Sequence, residues 1–328
     1  MADEDEDIRE VDWHPRLTQN LRGHSEALTR MQRAFESGKL HHAWLISGPK
    51  GIGKASLAYR FANLVLSAAN SRSSQWIESR SHPDLFVLER LWDPKTKKLK
   101  SELGVDHARK LSEFFGLTAG SGGWRVAIID TADDLNVSSS NALLKLIEEP
   151  PPNCLLLLLC NQPGRLLRTI RSRCMRIDLQ PLSQDETMNV VSNLPLDEPP
   201  SREALDIAVS LSGGSPGRAL DLLNSSGAKS FAAFQSMVKI TPTALVDFGN
   251  RFTAKSTSAD DFEIFCELLE GWVGSKAREK ALDGSGQSLA SAYSAIGHSI
   301  RQTNALNLDR RQTVIHALSL IDDAMKSA

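Results

Sequence analysis

The sequence HHAWLISGPKGIGKASLAYRFANLVLS, residues 41–67, determines the fold of the N-terminal half of the chain. The chain becomes apolar over residues 41–46 and then passes through a glycine-rich segment into residues whose apolar side chains recur at helical spacing. The glycine-rich segment satisfies the pattern G-x-x-x-x-G-K. Because a strand precedes this pattern and a helix follows it, the pattern predicts a phosphate-binding loop.

The residues of this loop are the candidate nucleotide contacts. In such a loop, glycines let backbone N–H groups surround the phosphates, the helix N-terminus favours the anion, and the lysine reaches the outer phosphates. The candidate residues are Gly48, Pro49, Lys50, Gly51, Ile52, Gly53 and Lys54.

The expected Mg²⁺ ligands are incomplete. The position after the lysine should carry a hydroxyl that binds Mg²⁺, and here it is Ala55. Ser56 is one residue out of register, which turns its side chain by about 100° around the helix. We therefore interpret Ser56 as a packing or surface residue. Residues 126–130 predict an apolar strand that ends at Asp130, where a Mg²⁺-coordinating carboxylate belongs.

The remaining sequence alternates between strands and helices as far as about residue 180. Strands are predicted at 85–88, 124–129 and 155–159, and helices at 105–115 and 141–149. Ser138 or Ser139 is expected to cap the second of these helices, and prolines 150–152 must end it. Apolar strands that alternate with helices indicate a parallel sheet covered on both faces. Residues 1–180 should therefore form one α/β domain.

The second part of the chain is expected to be helical. Residues 181–228 indicate a small helical domain, and amphipathic helices recur through residues 229–328, for example around Phe262, Phe265 and Trp272. Residues 90–103 resemble a solvated excursion or hairpin, to which we assign no function.

Composition limits the classes of protein to which the chain can belong. It has 328 residues, 41% of them hydrophobic and 24% charged, which is ordinary globular usage. No apolar run approaches the roughly 20 residues that a membrane helix needs, and the acidic N-terminus is unlike a secretion signal. Four cysteines without C-x-x-C spacing indicate a reduced, cytoplasmic protein. The net charge of −2 restricts any DNA contact to a local surface.

Two further segments resemble a known family. NALLKLIEEPP at 141–151 and LRTIRSRC at 167–174 resemble the bacterial clamp-loader branch of the AAA+ proteins. HHAWLISGP at 41–49 and HPD at 82–84 are similar to its delta-prime branch in particular. The resemblance covers residues 13–222 well and the C-terminal third only in helical character and length.

The resemblance implies an architecture and a set of partners. Residues 1–180 would be an AAA+ phosphate-loop α/β domain, 181–228 its helical lid, and 229–328 a helical collar for oligomerisation. The partners would be gamma/tau and delta subunits in a hetero-pentameric ring, the sliding clamp, and primer–template DNA reached through the assembled complex. A membrane partner is not expected.

The resemblance also implies roles for two arginines. In this family the Ser-Arg-Cys motif supplies an arginine finger that touches ATP held by the adjacent subunit, and Arg173 matches that position. Arg218 matches an arginine of the lid that reports on nucleotide in the same subunit, but it is equally explained as a residue at a helix start. Asn161 lies near a third nucleotide-sensing position, for which an ordinary asparagine at the end of a strand is an equal explanation.

The departures from the family pattern predict a chain that does not hydrolyse ATP. In active AAA+ enzymes a glutamate follows the Mg²⁺-binding carboxylate, whereas this chain has Thr131, which cannot act as a carboxylate base. We interpret Asp133 and Asp134 as caps or solvated charges. ATP binding should be weak or absent. Many relatives carry a four-cysteine zinc module, but residues 67–81 contain no cysteine, so zinc is not expected.

Three alternatives remain open at this point. An active clamp-loader ATPase of the gamma/tau type would share the fold and most motifs, although Ala55 and Thr131 argue against it. A stand-alone phosphate-loop NTPase would leave the Ser-Arg-Cys segment without a purpose. A pure assembly scaffold differs from a stationary finger-donating subunit only in the role of Arg173.

Overall fold

A computed structural model describes residues 14–17, 21–89, 92–93, 98–99, 105–120, 123–195, 199–237, 241–253, 257–281 and 286–326. The acidic N-terminal segment of the sequence lies outside these ranges. The chain divides into two compact units. The first comprises Met1–Glu186 and Ser192–Leu196, and the second comprises Thr187–Val191 and Asp197–Ala328.

The first unit contains a parallel sheet of five strands in the order β2-β5-β6-β1-β7. Two short strands, β3 and β4, pair separately with each other in antiparallel orientation, and the other residues of the segment 90–103 lie outside the described ranges. The strands are β1 (Ala43–Ser47), β2 (Leu85–Glu89), β3 (Trp92–Asp93), β4 (Lys98–Leu99), β5 (Arg125–Asp130), β6 (Cys154–Cys160) and β7 (Met175–Asp178).

Helices cover both faces of this sheet. Successive residues of β1 point to opposite faces: Trp44 and Ile46 join a core with Phe61 of α2, whereas Leu45 joins a core with Leu143 of α5. Burial on both faces explains the continuous apolar sequence of β6. The helices of this unit are α1 (Ser25–Glu36), α2 (Lys54–Ser67), α3 (Ser73–Glu78), α4 (Val105–Gly116), α5 (Val137–Glu148) and α6 (Arg168–Arg171).

The α/β fold with a parallel sheet is therefore confirmed, with one correction at a helix start. Asn136, not Ser138 or Ser139, caps α5, and its side chain accepts a hydrogen bond of 2.9 Å from the Ser139 N–H. Ser139 instead donates its hydroxyl to the Asn136 carbonyl at 3.0 Å. The helix ends just before the prolines at 150–152, as predicted.

The second unit is helical throughout the residues that the structure describes there. One core joins Ala204 to Ala324 and contains the predicted Phe262, Phe265 and Trp272. α7 (Gln184–Ser192) contains the boundary between the units. The other helices are α8 (Arg202–Leu211), α9 (Pro216–Asn224), α10 (Ser226–Gln235), α11 (Pro242–Gly249), α12 (Ala259–Ala281), α13 (Gln287–Leu306) and α14 (Arg310–Lys326).

The expected division of this helical part into a lid and a collar stays a prediction. The boundary at 228/229 falls inside α10, and the core of the unit includes residues on both sides of it. Across the described part of the chain, no helix has both the length and the apolar character needed to span a bilayer.

Candidate functional site

The predicted phosphate loop lies between the end of β1 and the start of α2. Gly48, Gly51 and Gly53 have φ values of 152°, 79° and 104°, which other residues rarely adopt. A Cβ atom at Gly48 would also lie 2.6 Å from Ile52 Cδ1 and 2.7 Å from the Leu179 carbonyl oxygen. The glycines therefore permit both the curvature of the loop and its close packing.

Lys54 is folded into its own loop. Its ammonium donates to the carbonyl oxygens of Gly48 and Pro49 at 2.9 and 2.7 Å and to Asn161 Oδ1 at 2.7 Å. These three acceptors match the three N–H groups of an ammonium. Burial lowers the pKa of Lys54, and the nearby Asp130 carboxylate opposes this shift. A phosphate bound here would have to compete with protein oxygens for the lysine.

The other predicted loop residues differ in exposure. The side chains of Pro49 and Lys50 are exposed, whereas that of Ile52 is buried. The Ile52 carbonyl accepts a hydrogen bond of 2.7 Å from the ring N–H at His24 Nε2. His24 immediately precedes α1, and no motif pointed to it because its contact with the loop depends on tertiary packing.

Asp130 lies where it was predicted, at the carboxyl end of β5. The hydroxyl of Thr131 donates to Asp130 Oδ1 at 3.2 Å. Asp130 pairs in register with Glu89 at the end of β2. Burial raises the pKa of Glu89, the Arg80 guanidinium lowers it, and the Asp130 carboxylate raises it. Sequence reasoning missed Glu89, because only the pairing of the strands brings it to this edge.

Contrary to the expectation from sequence, Asp133 is not simply a cap or a solvated charge. Its carboxylate accepts hydrogen bonds from the backbone N–H groups of Asn161 and Gln162 at 2.6 and 2.8 Å. It therefore anchors the end of β6 beside the phosphate loop. The carboxylate that follows Asp130 most closely in the chain is thus already engaged in a structural role.

Arg173 lies near the amino-terminal ends of β1 and β7, whereas the phosphate loop follows the carboxyl end of β1. It follows α6 and precedes β7, whose first residue, Met175, pairs in register with Trp44 near the start of β1. The loop begins directly after the last residue of β1, Ser47. At about 3.3 Å per strand residue, the two ends of these strands are separated by roughly 15 Å. An arginine side chain at the amino-terminal ends of the strands does not reach a phosphate at their carboxyl ends.

The Arg173 guanidinium is anchored by two helices. Nη2 lies 3.0 Å from Glu148 Oε1 at the end of α5, and Nη1 donates to the Thr169 carbonyl of α6 at 3.2 Å. Both charged side chains remain accessible, with 42% of Arg173 and 47% of Glu148 exposed.

These residues border an open groove of about 430 Å³. His41 and His42 stack there with ring centroids 4.4 Å apart. His42 Nε2 lies 2.8 Å from the Ile147 carbonyl oxygen, which requires this nitrogen to carry the proton. The groove is lined by His41, His42, Ile147, Glu148, Ser172, Arg173, Cys174 and Met175.

Arg218 belongs to the second unit. Its backbone N–H donates to the Ser215 hydroxyl at 3.2 Å, so the residue stands at the start of α9. Its guanidinium pairs with the Glu267 carboxylate of α12. A helix-start position and an ion pair explain the residue structurally, and its role in nucleotide sensing stays a prediction.

The His-Pro-Asp segment at 82–84 is part of a buried polar network. Asp84 accepts a hydrogen bond of 2.7 Å from the Gly120 N–H and lies 3.9 Å from Arg125 Nε. The Arg125 guanidinium donates to the carbonyls of Phe114 and Thr118 and lies 4.8 Å from the centre of the Phe114 ring. The segment therefore has a structural role.

Among the residues that the structure describes, no three His, Cys, Asp or Glu side chains are grouped so that they could hold a metal ion. Residues 67–81, which contain no cysteine, include the short helix α3. The absence of zinc remains an expectation.

Comparisons with known proteins point to one group. The family described as DNA polymerase III, delta subunit, matches residues 23–183. The chain is 37% identical to DNA polymerase III subunit delta' of Pseudomonas aeruginosa over 53% of this chain and 53% of that protein. It is 33% identical to subunit delta' of Escherichia coli over 64% of this chain and 60% of that protein. It is also 28% identical to subunit tau of Bacillus subtilis over 65% of this chain and 38% of that protein. The matches thus span less than two thirds of the length of each relative.

Proposed function

We propose that the chain is the delta-prime subunit of a clamp loader, because residues 23–183 match the family described as DNA polymerase III, delta subunit, and two similar proteins are named subunit delta'. In this role it does not hydrolyse ATP. It supplies Arg173 in trans to an ATPase subunit beside it, so that the sliding clamp is loaded on primer–template DNA in the cytoplasm.

The observation that carries the proposal is the position of Arg173. The guanidinium is accessible in an open groove. It lies at the end of the strands opposite to the phosphate loop of its own chain. A phosphate that meets Arg173 must therefore come from another molecule. A guanidinium suits this contact because it is always charged and its planar fork can donate several hydrogen bonds to phosphoryl oxygens.

Four features at the phosphate loop favour a non-hydrolysing subunit over an active ATPase. Ala55 lacks the Mg²⁺-binding hydroxyl, and Thr131 lacks the carboxylate that would activate water. Asp133 is engaged by the backbone at the end of β6, and Lys54 is bonded to three protein oxygens. Nucleotide binding at Gly48–Lys54, with Asp130 as a further contact, would thus be weak.

The proposed partners follow from the family and from the exposed arginine. The match to a relative named subunit tau covers 65% of this chain. This match supports gamma/tau subunits as neighbours of the same architecture. The delta subunit, the sliding clamp and primer–template DNA complete the proposed complex. The stand-alone NTPase and the pure scaffold are disfavoured because neither uses an accessible Arg173.

Reconstitution tests the assembly. When the purified chain is mixed with the gamma/tau and delta subunits of its own organism, we expect one stoichiometric complex in size-exclusion chromatography with light scattering. The complex should show ATPase activity that the clamp and primed DNA stimulate. A chain that stays monomeric in the presence of these subunits would contradict the proposal.

The isolated chain is expected to hydrolyse ATP no faster than background, because both Ala55 and Thr131 lack the required groups. Any nucleotide binding, measured by calorimetry, should be weak and should change little when Mg²⁺ is removed. Lys54→Ala provides the matched control. Turnover that disappears in Lys54→Ala would identify an active ATPase and overturn this part of the proposal.

A further inference from the structure

The C-terminal end of α5 carries an unusual charge pattern. The helix ends at Glu148, and Glu149 follows directly. Unpaired carbonyl groups give the C-terminus of a helix a partial negative charge, so carboxylates there are unfavourable and cations are favourable. Glu148 is paired with Arg173, a cation that comes from a later part of the chain. Lys145 supplies one cation in the last turn, and the pair with Arg173 brings a second cation to a helix end that carries two carboxylates.

The geometry of the pair leaves the guanidinium able to bind a further group. An arginine has five N–H groups in a fixed planar fork. Glu148 engages Nη2, and the Thr169 carbonyl engages Nη1. Each terminal nitrogen still has a second N–H, and Nε–H is a fifth donor. Arg173 can therefore keep both anchors while it donates to a phosphate.

The surrounding contacts hold the Glu148 end of the groove in place. His42 Nε2–H donates to the Ile147 carbonyl, one residue before Glu148, and so ties the end of α5 to the start of β1. The two anchors of Arg173 come from two different helices, α5 and α6. Without Glu148, the carbonyl of its own adjoining helix would be the one contact left to the guanidinium among the residues that the structure describes.

We propose that Glu148 is a positioning residue for Arg173, which it holds across the groove in the orientation that meets a phosphate of the neighbouring subunit. This inference rests on the proposed function of Arg173 and names a residue on which that function depends. Glu148 does not touch the phosphate. It limits the rotamers of an accessible arginine and leaves the remaining N–H groups available.

The expected effect is modest because the pair is accessible to water. Exposed ion pairs contribute about a two- to fivefold change in an equilibrium, since water and salt compete with them. One part of the clamp- and DNA-stimulated ATPase depends on Arg173 and is lost in Arg173→Ala. Glu148→Ala should therefore lower that part by about two- to fivefold. Glu148→Gln should lose less, because its amide oxygen can still accept a hydrogen bond.

The experiment is a double-mutant cycle in the reconstituted complex. ATPase and clamp loading are measured for Glu148→Ala, Arg173→Ala and the double variant, with Glu149→Ala as the matched control at the adjacent exposed carboxylate. Assembly is checked by size-exclusion chromatography and folding by thermal unfolding. If Glu148→Ala disturbs folding, Glu148→Gln takes its place in the cycle.

The outcomes separate this inference from the function on which it rests. A loss with Glu148→Ala that vanishes in the Arg173→Ala background, with Glu149→Ala unchanged, supports positioning. The same loss in both backgrounds identifies a general structural role, and a gain of activity identifies a restraint on Arg173. Either result overturns the inference and leaves the finger intact. Full activity of Arg173→Ala itself overturns the proposed function.

Discussion

Arg173→Ala is expected to remove most ATP hydrolysis at one site of the assembled complex while this chain stays folded and assembled. The side chain is exposed and contacts Glu148 and the Thr169 carbonyl, so its loss should change stability little. Arginine fingers contribute about 10³- to 10⁵-fold to phosphoryl transfer at the site they serve. Total clamp- and DNA-stimulated ATPase should therefore fall by the contribution of one site, and clamp loading should fall further.

Two companion variants make the Arg173 experiment specific. Arg173→Lys should not restore activity, since an ammonium keeps the charge but loses the planar fork. Arg165→Ala removes a nearby exposed arginine and should leave the ATPase unchanged. Full clamp loading by Arg173→Ala at physiological salt would reduce this chain to a scaffold.

Asp84→Ala is expected to destabilise the first unit strongly. Asp84 is fully buried, accepts the Gly120 N–H, and lies beside the buried guanidinium of Arg125. Removal of one partner leaves the other charge buried without its counter-ion, which typically costs about 3–5 kcal/mol. Urea unfolding followed by circular dichroism should show the transition of the first unit at lower denaturant.

The control for this variant is an exposed carboxylate on the helix that follows. Glu113 is exposed on α4, and Glu113→Ala should change the free energy of unfolding by less than about 0.5 kcal/mol. An Asp84→Ala variant as stable as Glu113→Ala would show that Arg125 does not need the carboxylate. The carbonyls of Phe114 and Thr118 would then be sufficient partners for Arg125.

The parts of the fold that sequence predicted are those that local pattern specifies. The run through β1, the loop and α2 combines an apolar strand, turn glycines and helical spacing, and all three are properties of neighbouring residues. β6 was recognisable because both of its faces are buried. β7 was missed, since it is a short edge strand in which only Ile177 is buried. Such a strand shows no apolar pattern.

The candidate site divides in the same way. The loop residues and Asp130 follow motifs that are contiguous in sequence. The contacts of Asp133 with the end of β6, of His24 with the Ile52 carbonyl, and of Glu148 with Arg173 depend on which elements lie side by side. Strand order and helix packing fix these contacts, and local sequence patterns do not report them.

The phosphate loop and Arg173 lie at opposite ends of the strands of one sheet, so the unit has two different ends. Units that meet head to tail form heterologous contacts, in which a donor face meets an acceptor face. Every such contact in a ring would join one loop to one arginine. Consider a subunit that has the arginine but whose loop does not hydrolyse ATP. It would form an active site with the neighbour on one side and an inactive site with the neighbour on the other. A ring that contains it would lose its rotational equivalence and gain a defined first and last site.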